Sequence, residues 1–279
     1  MNLITDQSDH SDNKVEIIML GTGSAFPSHS YNTCFLVRTE KFLWLTDGGG
    51  GNGIFTTLHN ADVDLTDIRH IFVTHSHTDH ILGIIWILRR FINLFKENKF
   101  HEKVNVFANR ETAYAIREIC RLTFLKSYFD DFKNVIELRI INSEERILLE
   151  NVKITFIDTC SENVRQTGFR MDFPSGKSLI SLGDEALNQQ NAYIAENAEC
   201  VMCGAFCKYT DRHIYHPYEK HHLTVKDVAE TAESVNVKTL ILYHSEDTSP
   251  DKTNAYIKEA QKYFSGEIYV PADYDHIYI

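Results

Sequence analysis

Between positions 74 and 80 the chain reads THSHTDH, which puts three histidines and an aspartate, His75, His77, Asp79 and His80, within six residues. Imidazole nitrogen and carboxylate oxygen are donors that suit Zn²⁺ well and Fe or Mn²⁺ acceptably. At spacings of two and three residues they converge on one cation, or on a pair, only where the backbone turns tightly. The residues before the cluster, 70–74, are apolar and β-branched like a strand. Those after it, from Ile81, repeat with helical period. The four side chains therefore belong where a strand ends and a helix begins.

Such a turn needs a framework. Strand-like runs recur at 15–20, 34–37, 42–45, 70–74, 104–107, 135–141, 152–157, 168–173, 178–182, 199–202, 239–243 and 267–270. Helical patterns fall at 53–59, 81–96, 110–125, 186–196, 224–234 and 253–264. Thr224 followed three residues later by Asp227 reads as a helix start. No Pro- or Ser-rich linker divides the chain, and 43% hydrophobic residues can fill a substantial core. The pattern predicts one layered α/β domain over 15–279, with helices outside two sheets, preceded by a flexible polar tail over 1–14.

Composition narrows the partners. With 28 basic against 39 acidic residues the formal charge is −11, which works against a large nucleic-acid footprint. The first fourteen residues lack the basic and apolar regions of a secretory signal. The apolar run from Ile81 meets Arg89 and Arg90 after eight residues, too soon to span a bilayer, so it reads as a buried helix. Six cysteines without a signal suggest free thiols in a reducing cytoplasm. Cys200, Cys203 and Cys207 are expected as ordinary buried cysteines, because 200 and 203 point to opposite faces of a strand. The glycine loops GTGS and DGGGGNG suit either tight turns or phosphate contact.

THSHTDH after a strand resembles the H-x-H-x-D-H signature of the metallo-β-lactamase superfamily. IMLGTGSAFP, WLTDGGGG, SLGDE, HHLTVKDVAE and LILYHSED extend the resemblance to its ribonuclease Z-like branch, in the arm-less phosphodiesterase form. The resemblance implies an αββα sandwich, with two mixed sheets face to face and helices on both outer faces. It also implies a site of two zinc ions, with Mn²⁺ as an alternative, at one sheet edge. His75 and His77 would hold the first metal, Asp79, His80 and His244 the second, and Asp184 would bridge them. Two such cations could share and activate a hydroxide near neutral pH. The resemblance assigns catalysis to Asp79 and to His222 as proton donor. Asp47 is either a brace behind the ligands or a turn residue before the glycine run at 48–51.

Three positions depart from the pattern. Relatives carry a third histidine for the first metal where this chain reads DTCS, so the expected ligand is Cys160, or else a small side chain beside a weak first site. Cys203 and Gly204 replace a His-Glu pair whose glutamate orients the catalytic histidine, which leaves His222 to another carboxylate such as Glu219. Restoring the glutamate at 204 is expected to raise activity. Only fifteen residues separate Gly168 from Asp184, so the basic arm that docks tRNA in the full-length enzymes is missing. The expectation is a cytoplasmic, homodimeric hydrolase of a small phosphodiester or cyclic nucleotide. A lactone or thioester hydrolase, or a weakened nucleotide- or partner-binding protein, are the alternatives.

Overall fold

The computed structural model describes residues 15–246, 248 and 251–279; the expected tail over 1–14 lies outside them. Strands that read as unbroken apolar runs do so because both of their faces are covered. In β1 (Glu16–Gly21), Ile18 and Leu20 pack toward helices while Ile17 and Met19 pack toward the opposite sheet. β2 (Cys34–Arg38), β3 (Leu43–Thr46), β4 (Ile68–Val73), β5 (Val104–Ala108) and β6 (Ile136–Ile140) follow β1 in one seven-stranded sheet. β7 (Arg146–Leu149), β8 (Val152–Asp158), β9 (Thr167–Asp172), β10 (Ser178–Ser181), β11 (Cys200–Gly204), β12 (Thr239–Tyr243) and β13 (Glu267–Tyr269) form the second. β14 (His276–Tyr278) returns to pair with β1. Each sheet is antiparallel at one side and parallel at the other.

The sheets meet through aromatic side chains. Trp44, Phe72 and Phe107 of the first sheet interlock with Phe156 and Phe169 of the second, and Phe72 meets Phe169 edge to face at 5.3 Å. On the outer face of the first sheet lie α1 (Ile54–Asn60), α2 (Thr78–Lys96), α3 (Arg110–Thr123) and the short α4 (Lys126–Asp130) and α5 (Phe132–Val135). After α6 (Arg212–Tyr215), α7 (Val225–Ser234) and α8 (Lys252–Ala260) cover the second sheet. The αββα sandwich is therefore the observed fold. α7 starts at Thr224 in a reciprocal capping box with Asp227, as its sequence suggested. α2 is largely buried against the first sheet, and among the described residues no helix is long and apolar enough to cross a membrane.

One predicted helix is absent. Over 186–196 only a short 3₁₀ turn forms, at Ala192–Ala195. Asn188 and Asn191 bind nearby main chain: Gln190 N–H donates to Asn188 Oδ1 at 2.9 Å and Asn191 Nδ2 donates to Ala186 O at 3.1 Å. Such side-chain turns compete with the helix ladder and win here. Strands β7 and β14 escaped the sequence reading because they are edge strands of only four and three residues.

Candidate metal centre

β3 and β4 run parallel, as do β10, β11 and β12, so the residues just past their C-terminal ends share one edge. Asp47 follows β3, and Thr74 and His75 follow β4. His77 is the N-cap residue of α2, which places Asp79 and His80 in the first helical turn, where the helix dipole favours a carboxylate. Asp184 lies three residues past β10 and His244 directly past β12. α2 approaches because Gly83 has no side chain: a Cβ there would lie 1.8 Å from Gly48 O. Gly83 N–H instead donates to Gly49 O at 2.9 Å. The glycine run is thus a close-packing surface for the helix that carries Asp79 and His80.

Two donor groups form. Asp79, His80, Asp184 and His244 each bring one ligand atom within 4.8 Å of the others, and His75, His77 and Asp184 make a second group of the same kind. Asp184 belongs to both. Its carboxylate lies 3.0 Å from His80 Nε2, 3.2 Å from His244 Nδ1 and 3.4 Å from His75 Nε2. His75 Nε2, His80 Nε2 and Asp184 Oδ1 are buried with no hydrogen-bond partner. Buried polar atoms are normally paired; His80 Nε2 and Asp184 Oδ1 make only a poorly directed approach at 3.0 Å, so three such atoms aimed together fit a cation.

A network behind the ligands sets their tautomers. Asp47 Oδ1 accepts from Thr74 N–H at 2.9 Å, and its Oδ2 accepts from Thr74 Oγ1 and from His80 Nδ1, both at 2.8 Å. With its proton given to Asp47, the Thr74 hydroxyl accepts from His75 Nδ1 at 2.9 Å. Both imidazoles thereby keep Nδ1–H turned to this network and direct Nε2 into the site, where a cation would displace any proton that Asp184 holds on His80. Asp47 is the brace, and it holds a left-handed φ of 58° to be so. His244, Cys160 and His221 also take left-handed φ values between 51° and 61°. Burial alone would raise the Asp79 carboxyl, yet the hydrogen bond and charge of His80 hold it at about 2. Burial, then the adjacent His80, pushes His75 well below the usual histidine range. Burial would also lower His80, but Asp184 and Asp47 raise it well above that range. Three buried carboxylates, Asp47, Asp79 and Asp184, favour positive charge here.

The remaining expected residues separate. Cys160 joins neither donor group. It is exposed at φ 61°, its N–H bonded to Asp158 Oδ1 at 2.9 Å, and burial followed by Asp158 and Glu185 raises its thiol. The left-handed turn gives its side chain to a cleft of about 410 Å³, which it lines with Glu185, Asn188, Tyr218, His221 and His222. His222 stands at the metal end of that cleft. Its ring stacks on Phe206 at 5.0 Å and lies 5.4 Å from the His244 ring. Burial, then His244, lowers its pKa to about 4. Glu219 does not orient it, for Glu219 pairs with His216 at 3.2 Å on the surface. Position 204 has no room for the family's glutamate: a Cβ at Gly204 would lie 2.1 Å from Asp184 O. Cys200 and Cys203 pack into the cores on opposite faces of β11, and Cys207 is buried as well. A larger open groove beside α3 and β6, about 1020 Å³, contains none of the ligand residues.

Sequence reasoning missed Thr74 and Thr33. Thr33 Oγ1 lies 3.1 Å from His244 Nδ1, and nothing in its local sequence marks it. Thr74 stood inside the quoted motif but carries no ligand atom, so only the hydrogen bonds reveal its part.

Comparison with known proteins agrees with this geometry. Residues 15–264 match the family model described as Anti-Pycsar protein Apyc1. The Anti-Pycsar protein Apyc1 of Bacillus phage BSP38 is 43% identical over 70 residues, a quarter of this chain (25%) and 27% of that protein. Ribonuclease Z of Archaeoglobus fulgidus is 22% identical over 307 residues, covering 91% of this chain and 94% of its own. Among solved structures, the metallo-β-lactamase fold protein YhfI from Bacillus subtilis superposes with a TM-score of 0.78 at 16% identity, covering 95% of this chain and all (100%) of that one. The chain belongs to the Anti-Pycsar protein Apyc1 family and carries the metallo-β-lactamase fold in its ribonuclease Z-like form, with a donor set fitted to metal-dependent hydrolysis.

Proposed function

We propose that the protein is a zinc-dependent phosphodiesterase acting on a small phosphodiester such as a cyclic nucleotide. The observation that carries this reading is Asp184, shared between two donor groups that are buried except for the exposed His77, beside a cleft. His75, His77 and Asp184 would hold one cation, and Asp79, His80, His244 and Asp184 the other. When bound, such a pair supplies a Lewis acid and an activated nucleophile. The chain's own residues would do the rest. Asp47 and Thr74 would fix the imidazoles, and His222, against the Phe206 ring, would give a proton to the leaving oxygen once the phosphate's negative charge offsets the burial and the His244 ring that hold its pKa at about 4.

A cleft of about 410 Å³ suits a small ligand. β9 and β10 join through a tight turn in which Phe173 N–H donates to Lys177 O at 3.0 Å. That leaves no inserted arm for tRNA, and the net charge of −11 agrees. A cytoplasmic homodimer belongs to the same proposal. Screening bis-p-nitrophenyl phosphate and cyclic nucleotides, alongside metal counting on the purified protein, tests it. Turnover that disappears with chelation and returns with Zn²⁺ is the expected result; a filled site with no phosphodiester turnover refutes it. A second reading, nucleotide binding with weak turnover, is favoured by Gly204, since His222 lacks the family's orienting glutamate. Tight cyclic-nucleotide binding without hydrolysis would select it.

A further inference from the structure

The two donor groups are unequal. One has four members, whereas the other has only His75, His77 and Asp184 among the described histidine, cysteine and acidic side chains. The segment ending in the TGFR run is fastened to the strand end that bears His75. Thr167 N–H donates to Thr74 O at 3.0 Å, and Asn109 Nδ2 reaches Arg165 O at 3.0 Å and Thr167 Oγ1 at 3.3 Å. Between these anchors Gln166 is 4% exposed, and its Oε1 is buried with no hydrogen-bond partner. The Gln166 main-chain carbonyl is used elsewhere, accepting from Thr159 N–H at 3.4 Å.

That orphaned oxygen lies near Gly183, the residue before Asp184. A Cβ on Gly183 would lie 3.4 Å from Gln166 Oε1 and 3.2 Å from Thr74 Cγ2. The amide oxygen and the Thr74 side chain therefore meet at Gly183, with Thr74 preceding His75 and Gly183 preceding Asp184. We propose that Gln166 Oε1 is the remaining donor of the His75–His77–Asp184 site, in the place the ribonuclease Z-like pattern gives to a histidine and Cys160 does not take. An amide oxygen is neutral and hard. Two imidazoles, a carboxylate and an amide accept Mn²⁺ as well as Zn²⁺ and keep the Lewis acidity that a thiolate would lower. A buried carbonyl oxygen without a partner is otherwise costly to maintain.

This inference rests on the two-cation reading, and its test separates the two. Chelator-stripped protein is titrated with Mn²⁺, and separately with Zn²⁺, by calorimetry, with bound metal counted by mass spectrometry. Gln166→Leu should leave one site unchanged and weaken the other by about tenfold or more. Gln166→Glu, which keeps the shape and adds a charged donor, should bind the weaker cation more tightly than the native chain. Native affinity at both sites in Gln166→Glu and Gln166→Leu overturns the proposal, as it would if a water bound Oε1. Should Gln166→Leu fail to fold, the nearly isosteric Gln166→Glu decides alone. His75→Ala and His244→Ala serve as controls: if both still bind two equivalents, the two-cation reading falls as well.

Discussion

Replacing Asp47 by asparagine changes one atom and should disable the site. The three groups that face this carboxylate, Thr74 N–H, Thr74 Oγ1–H and His80 Nδ1–H, all donate to it, at 2.8–2.9 Å. An asparagine amide must turn its NH₂ toward one of them, so at least one bond to a buried group becomes donor against donor. If the NH₂ faces His80, the imidazole proton moves to Nε2 and points at the metal position. If it faces Thr74 N–H, the strand end bearing His75 is pushed away. Loss of a charge-assisted bond is worth about 1.5–3 kcal/mol, and outer-shell partners of ligating histidines are worth about 10–100-fold in metal affinity. That range corresponds to about 1.4–2.7 kcal/mol per cation. Both sites should weaken in Asp47→Asn, measured by calorimetric titration of stripped protein with Zn²⁺. Thr74→Val, which removes the hydroxyl linking Asp47 to His75 but leaves the Asp47–His80 bond in place, should weaken one site. Native affinity for two Zn²⁺ in Asp47→Asn would refute the claim that this network sets the tautomers.

Four further outcomes follow from the same geometry. His244→Ala should lose close to one equivalent of metal, because the four-member group then keeps only three donors; metal analysis by mass spectrometry decides it. His222→Ala should slow substrates with alkoxide leaving groups far more than p-nitrophenyl esters, which need little protonation; equal losses would make His222 a binding residue. Gly204→Glu should reduce stability and metal content rather than raise activity, since its Cβ meets the Asp184 carbonyl oxygen at 2.1 Å; thermal unfolding and metal counting would show it. Cys160→Ser should leave metal content unchanged, as Cys160 stands in the cleft and outside both donor groups.

Local chemistry in the sequence was enough for the part of the site that the chain builds within a few residues. His75, His77, Asp79 and His80 share one strand-to-helix turn, so their convergence follows from backbone geometry that the flanking periodicity already announces. The sandwich was legible for a related reason: runs apolar on both faces need cover on both sides, and helical periods between them supply it. Asp184 and His244 could be named from motif resemblance, but their meeting with His80 depends on β10 and β12 lying two strands apart in a sheet. What lay beyond the sequence were contacts between segments distant in the chain. Thr159 to Thr167 folds back across Thr74 and Gly183, and that packing gives Gln166 rather than Cys160 the buried position beside the ligands. Gly204 reads as a lost glutamate in one dimension. In three it is the close approach that lets the Asp184 backbone pass, because side-chain volume, unlike ligand type, has meaning only against a neighbour.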